Sequence, residues 1–489
     1  MKMIAIICEY NPFHKGHEYQ IKEIRRKFPS DALIGVMSGA MTERGEPAIM
    51  SKYARAEAAV KCGLDLVVEL PAPWSMSGAA FFAAAGVRIA AAVGADTLAF
   101  GSECGSVGEL REIAEYLSSD DFLKASAAAR AENPHLQTGD IRANVLRERF
   151  GCFPTGSNDI LAIEYIRAAE RLGAKLDCIT IKREGGAYNC ETPTGVKKTP
   201  NCGKATVADE TLNRGKAIGA DETPNHGKAI GAVETLNHGN ATAADGTLNR
   251  GKAIGAVETL NHGNATVADE TPNRGKAIGA VETLNRSNST GGKPSSSEKN
   301  FSSASAVRQT LFSGGDASTE LPEASYEILT REKIAGRLCL KPLDEAVSAF
   351  LRLSPESMRG RLEVSGGIEN RLHEAAKKNR TIDLILDAAT ERRYSKSRLR
   401  RAIFGSMLGY TMHDAEEKPE YTVLLAANGV GRRIIESSAI PVLTRPSDFK
   451  KLEKKARAQF ERAVKAEYLQ ELSAYSPMNI WSSRPFILQ

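Results

Sequence analysis

The eight cysteines, at positions 8, 62, 104, 152, 178, 190, 202 and 339, form no C-x-x-C pair and have no histidine partner at zinc spacing. That excludes a disulfide framework and a structural metal, and reads as reduced thiols in a cytosol. No stretch approaches the roughly 20 apolar residues of a membrane span. The apolar start, Met3 to Cys8, runs straight into Glu9 and is too short for a secretory core segment. The expected setting is therefore the cytoplasm, with no membrane. Aromatics are thin at 6% although 42% of the chain is hydrophobic, so part of it is expected not to pack. Charge of one sign is not dominant either. A net charge of +5 over 489 residues leaves any nucleic-acid signal to local clusters.

What the chain does carry begins with alternation. Short β-branched runs at Met3–Cys8, Ala32–Met37, Asp65–Leu70, Asp96–Phe100 and Asp177–Ile181 read as strands. Helical patterns lie between them, around Gly16–Lys27, Lys52–Cys62, Ser77–Val93 and Asn158–Leu172. Largely apolar strands alternating with helices predict an α/β fold with a parallel sheet covered on both faces. Ligands of such sheets sit at the carboxyl ends of the strands. The residues after each strand therefore share one rim: the loop after Cys8, Ser38–Gly45, Pro71–Trp74 and Gly101–Glu103.

The first of these loops is the most informative. Asn11, Pro12, Phe13, His14, Lys15, Gly16 and His17 follow the first strand and open a helix. This H-x-G-H pattern suits ATP held for attack at its α-phosphate. Gly16 permits close backbone approach, and the helix start offers free N–H groups and the positive end of its dipole. His14 and His17 can donate to non-bridging oxygens as charge builds in the transition state. The competing reading is a helix start with one histidine capping and the other solvated.

From Thr199 to Asn285 the character changes. A twelve-residue unit, typified by Glu258 to Asp269, repeats threonine at 199, 211, 223, 235, 247, 259, 271 and 283. Its apolar residues are few and small and aromatics are absent, which favours a loosely structured insertion over a stacked solenoid. A serine-rich stretch leads back to ordered sequence, and 323–412 reads as helical. Within it, Arg392, Arg393, Lys396, Arg398, Arg400 and Arg401 surround Tyr394. These cations could grip phosphate while Tyr394 stacks on a splayed base, or they could form a solvated helix face. Beyond residue 420, strands at Tyr421–Ala426 and Ala439–Leu443 and a charged helix from Phe449 to Gln470 form a small mixed segment.

Further motifs occur in order: Arg44–Ala48, Asp65–Pro71, Phe100–Glu103, Gly156–Leu161, Ser303–Arg308 and Gly367–Leu372. With Glu9–His17 this set resembles the bacterial tRNA(Met) cytidine acetate ligases, members of the HxGH nucleotidyltransferase superfamily. The resemblance covers nearly the whole chain outside the repeats and weakens after about residue 420. It implies a Rossmann-like nucleotidyltransferase domain at 1–190 and the repeat insertion at 191–300. A second nucleotide motif at 301–322, a helical tRNA-binding domain at 323–412 and a small α/β segment at 413–489 follow. The implied reaction activates acetate with ATP, then acetylates N4 of the wobble cytidine of elongator tRNA(Met). Mg2+ would ride on the ATP phosphates, and no protein metal site is expected.

Carried over by motif, the ATP site comprises Ile7, Cys8, Glu9, Tyr10, Asn11, Pro12, Phe13, His14, Lys15, Gly16, His17, Glu18, Tyr19, Gln20, Gly101, Asn158 and Arg183. Ser303, Ser305 and Arg308 resemble the second nucleotide motif, where hydroxyls, helix-start amides and an arginine meet the departing pyrophosphate. Judged from residue type alone, Asn158 could equally cap the following helix, and Ser303 or Ser305 could cap theirs. His17 is expected to contact the transition state first and His14 second. Thr42 and Glu43 depart from the family, which usually shows an apolar residue and glutamine before Arg44 and Gly45. Two other functions remain open: a small-molecule adenylyltransferase of the same superfamily, and a non-catalytic tRNA-binding relative.

Overall fold

A computed structural model describes residues 1–133, 136, 138–151, 154, 156–183, 301–391 and 394–489, together with the backbone of short strands between 212 and 266. The chain divides into two compact units, residues 1–200 with 298–489, and residues 201–297.

The first unit is built on β1 (Met3–Cys8), β2 (Ala32–Ser38), β3 (Leu66–Leu70), β4 (Thr97–Ser102) and β5 (Asp177–Lys182). They run parallel in the order β3-β2-β1-β4-β5. The helices that connect them are α1 (Lys15–Lys27), α2 (Lys52–Lys61), α3 (Ala79–Ala92), α4 (Val107–Leu117), α5 (Asp120–Glu132), α6 (Thr138–Phe150) and α7 (Ser157–Leu172). Every strand and helix expected before residue 183 is present, with ends moved by a residue or two. Period-two alternation explains why both faces are covered. Ile4, Ile6 and Leu33 enter one core with α1 and α2, while Ala5, Ile34 and Val36 enter another with α3 and α7. Strand order reverses between β1 and β4, which opens the crevice at their carboxyl ends.

After the repeats come α8 (Ala304–Phe312), α9 (Glu323–Ile334), α10 (Asp344–Leu353), α11 (Ile368–Lys378), α12 (Ile382–Ala389), α13 (Lys396–Leu408) and α14 (Met412–Glu416). The third core joins Val347, Leu372, Ile385 and Ile403 from these helices to Ala40 and Met41 after β2 and to Ala72 and Met76 after β3.

The last stretch is less separate than its sequence suggests. The strand β6 (Thr422–Ala427) lies antiparallel on β3, β7 (Val442–Leu443) lies outside it, and β8 (Phe486–Ile487) pairs with β6. One eight-stranded sheet results. All of β6 is buried, and Thr422 Oγ1 donates to Glu69 O at 2.6 Å. Between these strands come α15 (Gly429–Ile435) and α16 (Lys454–Glu471).

In the second unit the described backbone forms short strands in parallel ladders that follow the repeat. Ala229, Ala241 and Ala253 pair in turn, and Val233 pairs with Val257. The rest of the repeat region, where the expectation of loose structure mostly falls, lies outside the described residues.

Candidate functional site

The H-x-G-H turn is shaped by its own hydrogen bonds. His14 is the N-cap of α1, and its Nδ1 accepts from Gly16 N at 3.0 Å. His17 Nδ1 accepts in return from His14 N at 3.2 Å, closing a capping box. The two rings stack with centroids 3.7 Å apart. Because each Nδ1 accepts, a neutral ring must carry its proton on Nε2. Burial, reinforced by the Arg183 charge, lowers His14 to about 4. Burial also holds His17 well below the usual imidazole range, with His14 and Arg183 adding to it. Both rings are therefore neutral Nε2–H donors near pH 7. Capping and ligand binding use different nitrogens, so the two sequence readings are compatible. Gly16 is required for a further reason: a Cβ there would lie 2.8 Å from His14 Cε1.

A cavity of about 400 Å³ opens at the reversal point of the sheet. Its walls include Ile7, Cys8, Glu9, Tyr10, Asn11, His17, Gln20, Gly101, Asn158, Arg183 and Arg308. A smaller one of about 190 Å³ shares His17, Gln20, Gly101 and Arg183 and adds His14, Gly16, Tyr19 and Ser303. These fifteen expected residues come together from β1, α1, β4, α7, the end of β5 and the α8 segment. The other five line neither cavity. Phe13 is wholly buried in the core and Pro12 is buried before it. Lys15 Nζ donates to Thr319 O at 2.6 Å, Glu18 pairs with Lys22 at 2.8 Å, and Ser305 Oγ accepts from Arg308 Nη2 at 3.3 Å.

On the far wall Asn158 is not the cap of α7, since Gly156 holds that position. Its Nδ2 donates to Glu103 Oε1 at 2.5 Å and its Oδ1 accepts from Arg183 Nη1 at 3.2 Å. Asp159 Oδ1 accepts from the backbone N–H of Glu103 at 2.8 Å and of Cys104 at 3.2 Å, fastening the loop after β4 to α7. Ser303 is the N-cap of α8, accepting from Ala306 N at 3.2 Å. Arg308 Nη1 donates to Asn11 O at 2.8 Å, which brings the second motif onto the first.

Several residues at the site were not among those expected to bind ATP; Arg44 and Phe100 open named motifs and Glu43 precedes one, whereas Phe82 and Tyr165 lie in no motif. Glu43, Arg44, Phe82, Phe100 and Tyr165 also line the larger cavity. Glu9 Oε1 accepts from Glu43 N at 2.6 Å, and burial raises the Glu9 carboxyl to about 7. Beneath the rim, fully buried Arg55 donates to Glu9 O at 2.6 Å, Ser38 O at 3.0 Å and Met50 O at 3.2 Å, and to Gly39 O as well. Its burial lowers it to about 10, yet it remains charged and ties the ends of β1 and β2 together. Arg55 stands in an alanine-rich helix, so nothing local marks it.

The basic run is rearranged by the fold. Arg392 and Arg393 lie outside the described residues. Tyr394 cannot serve as a stacking platform, because its ring is buried and its OH donates to Gly366 O at 2.7 Å. Arg401 is buried, donating to Glu43 Oε1 and Glu363 Oε1, each at 3.1 Å. Arg400 Nη1 donates to Glu46 Oε1 at 2.5 Å. Both therefore turn inward to the loop after β2. Lys396 is exposed and pairs with Asp387, while half-buried Arg398 donates to Ser365 Oγ at 2.7 Å. Among the described residues no group of three His, Cys, Asp or Glu side chains could hold a metal ion, and no helix is long and apolar enough to cross a membrane.

Comparison with known proteins gives concordant results. A family model described as HIGH Nucleotidyl Transferase matches residues 1–202 and 273–480. The tRNA(Met) cytidine acetate ligase of Acetivibrio thermocellus is 27% identical over 474 residues, spanning 92% of this chain and 89% of that protein. That of Syntrophotalea carbinolica is 36% identical over 211 residues, 40% of this chain and 50% of its own length. The fold also matches the crystal structure of Thermotoga maritima TmcAL bound with alpha-thio ATP, with a TM-score of 0.71 and 23% identity over the whole of both chains.

Proposed function

The chain belongs to the HIGH nucleotidyl transferase family, and from that membership we propose that it is an ATP-dependent acetate–tRNA ligase. It would activate acetate as acetyl-adenylate and acetylate N4 of the wobble cytidine of elongator tRNA(Met). The ligase relatives that span nearly the whole chain support the reaction. The observation that carries it is the pair of neutral Nε2–H donors beside Gly101 and Arg183, with His17, Gly101 and Arg183 shared by the adjoining cavity that Asn158 and Arg308 line.

In the first step an acetate oxygen attacks the α-phosphorus, and pyrophosphate leaves with the electron pair of the broken P–O bond. Neutral imidazoles suit this step, since they stabilise growing negative charge by hydrogen bonding without needing to lose a proton. Arg183 and Arg308 screen the phosphates, and their planar forks favour bidentate contact. Mg2+ would enter as the counter-ion of ATP, and no side chain is assigned to it. In the second step N4 of cytidine attacks the acetyl carbonyl carbon, AMP departs, and N4 loses a proton. Exposed Lys396 and half-buried Arg398 are the cations of the described basic run available to tRNA phosphate.

The test is acetate-dependent exchange of labelled pyrophosphate into ATP, run with a panel of short carboxylates and with or without tRNA. Exchange that requires acetate supports the proposal; none with any carboxylate, even with tRNA, points to a phosphorylated small-molecule substrate or a silent site. His17→Ala is expected to lower exchange about 100-fold or more, as loss of a transition-state donor does, while tRNA binding stays nearly unchanged. Normal exchange in that variant would remove His17 from the chemistry.

A further inference from the structure

Glu46 stands in the loop after β2, and its two carboxylate oxygens serve two different arginines. Oε2 accepts from Arg308 Nη2 at 3.0 Å, and Oε1 accepts from Arg400 Nη1 at 2.5 Å. Arg308 lines the nucleotide cavity; Arg400 belongs to α13, outside it. The loop itself lies directly on α13. Gly45 has φ +74°, and a Cβ there would sit 2.7 Å from Arg401 N, so only glycine permits this approach. One residue further on, Arg401 Nη1 donates to both the carbonyl and the carboxylate of Glu43, which lines the cavity. Side-chain exposures of 13% for Arg308, 17% for Arg400 and 25% for Glu46 show an arrangement largely withdrawn from solvent.

We propose that Glu46 is a positioning residue: anchored by Arg400, its carboxylate holds the Arg308 guanidinium where it meets the triphosphate of ATP. This rests on the nucleotide role of Arg308 in the function proposed above. The physical argument is one of freedom. An arginine side chain loses about 2 kcal/mol of rotamer entropy when it is fixed. Asn11 O and Glu46 fix it before the nucleotide arrives, so ATP need not supply that ordering. Arg400 matters because a carboxylate on a loop is itself mobile unless its second oxygen is held. The arrangement makes α13, in the helical segment, part of what orders the nucleotide site.

Equilibrium binding of ATP and of AMP to the full-length chain tests this, with Glu46→Gln, Glu46→Asp, Arg400→Met and the Glu46→Gln/Arg400→Met double variant. Glu46→Gln is expected to weaken ATP about tenfold, within the usual range of coupling between linked groups, and to leave AMP unchanged. A general distortion of the cavity would weaken both nucleotides. Glu46→Asp should recover part of the loss. Arg400→Met should cost several-fold for ATP alone, and the double variant should be no worse than Glu46→Gln, because Arg400 acts only through Glu46. Unchanged ATP affinity in Glu46→Gln, parallel loss of ATP and AMP, or additive losses in the double variant would each overturn the proposal. If Glu46→Gln does not fold, Arg400→Met decides: unaltered ATP affinity there sinks it. Should the wild type show no acetate-dependent exchange while the ATP-only loss persists, the ligase assignment fails and the role of Glu46 stands.

Discussion

A neutral imidazole and an imidazolium are different catalytic groups, and backbone amides decide which one this turn presents. Gly16 N and His14 N each occupy an Nδ1, so the rings meet a ligand as Nε2–H donors. His14 should hold the proton-free Nδ1 down to about pH 4 rather than its ordinary 6.5. Between those values the unfolded chain binds a proton that the folded chain refuses. The contribution of His14 to stability is thus constant above about pH 6.5 and is lost as pH falls toward 4. Glu9 acts in the opposite sense: raised to about 7 from 4.5, it takes up a proton on folding and weakens stability as pH rises through that window. Nitrogen chemical shifts of the labelled imidazoles check the point. His14 and His17 are expected to show the Nε2–H tautomer throughout pH 6 to 8. A His14 midpoint near 6.5, or an Nδ1–H signal, would contradict the assignment. Both histidines were legible in the sequence, because a short local motif needs nothing distant; the tautomer depended on two backbone bonds that no motif encodes.

At the scale of elements, α13 shows what a local pattern leaves undecided. Six cations around Tyr394 read alike in sequence, yet burial divides the four that are described. Ser395 caps the helix, which then turns Arg401 toward Glu43 and Glu363 while Lys396 and Arg398 stay nearer solvent. The carboxylates that claim Arg400 and Arg401 come from residues 43, 46 and 363, with Asp383 of α12 a longer 3.8 Å partner of Arg400, and Glu43 and Glu46 lie more than 350 residues away. This separation predicts two phenotypes within one helix. Lys396→Gln with Arg398→Gln should weaken tRNA binding and lower its salt slope by about 1 for each phosphate that is no longer neutralised, at only a small cost in stability because Glu363 keeps Arg401 as its partner. Arg401→Glu should instead destabilise the fold by roughly 3 kcal/mol or more, since it sets a third carboxylate beside two that are nearly buried. Salt titrations of tRNA binding and denaturant melts give both readings. An unchanged slope in the first variant would take those two residues out of the interface.

For the whole molecule, the long-range connections decide what is one body and what is appended. Strands before residue 183 were legible because a parallel sheet buried on both faces leaves continuous apolar runs. The place of β6 was not: it lies more than 350 residues from β3, and strand order is not written in periodicity. The two ends of the repeat region show the same principle in reverse. Lys182 and Arg183 on one side and Phe301, Ser302 and Ser303 on the other line one small cavity, within the first unit. The chain thus leaves the site and returns to it, and a short flexible linker can make the same connection. Closure entropy changes only logarithmically with length, so shortening a connection of this size to about 20 residues alters the closure term by roughly 1.5 kcal/mol. Replacing residues 201–297 with such a linker is therefore expected to raise the melting temperature slightly or leave it alone, and to keep acetate-dependent pyrophosphate exchange at the full-length rate. Exchange lost from a shortened protein that still melts cooperatively would assign the repeats a part in the reaction, because the sheet, the cavity and its two arginines, Arg183 and Arg308, are all built without them.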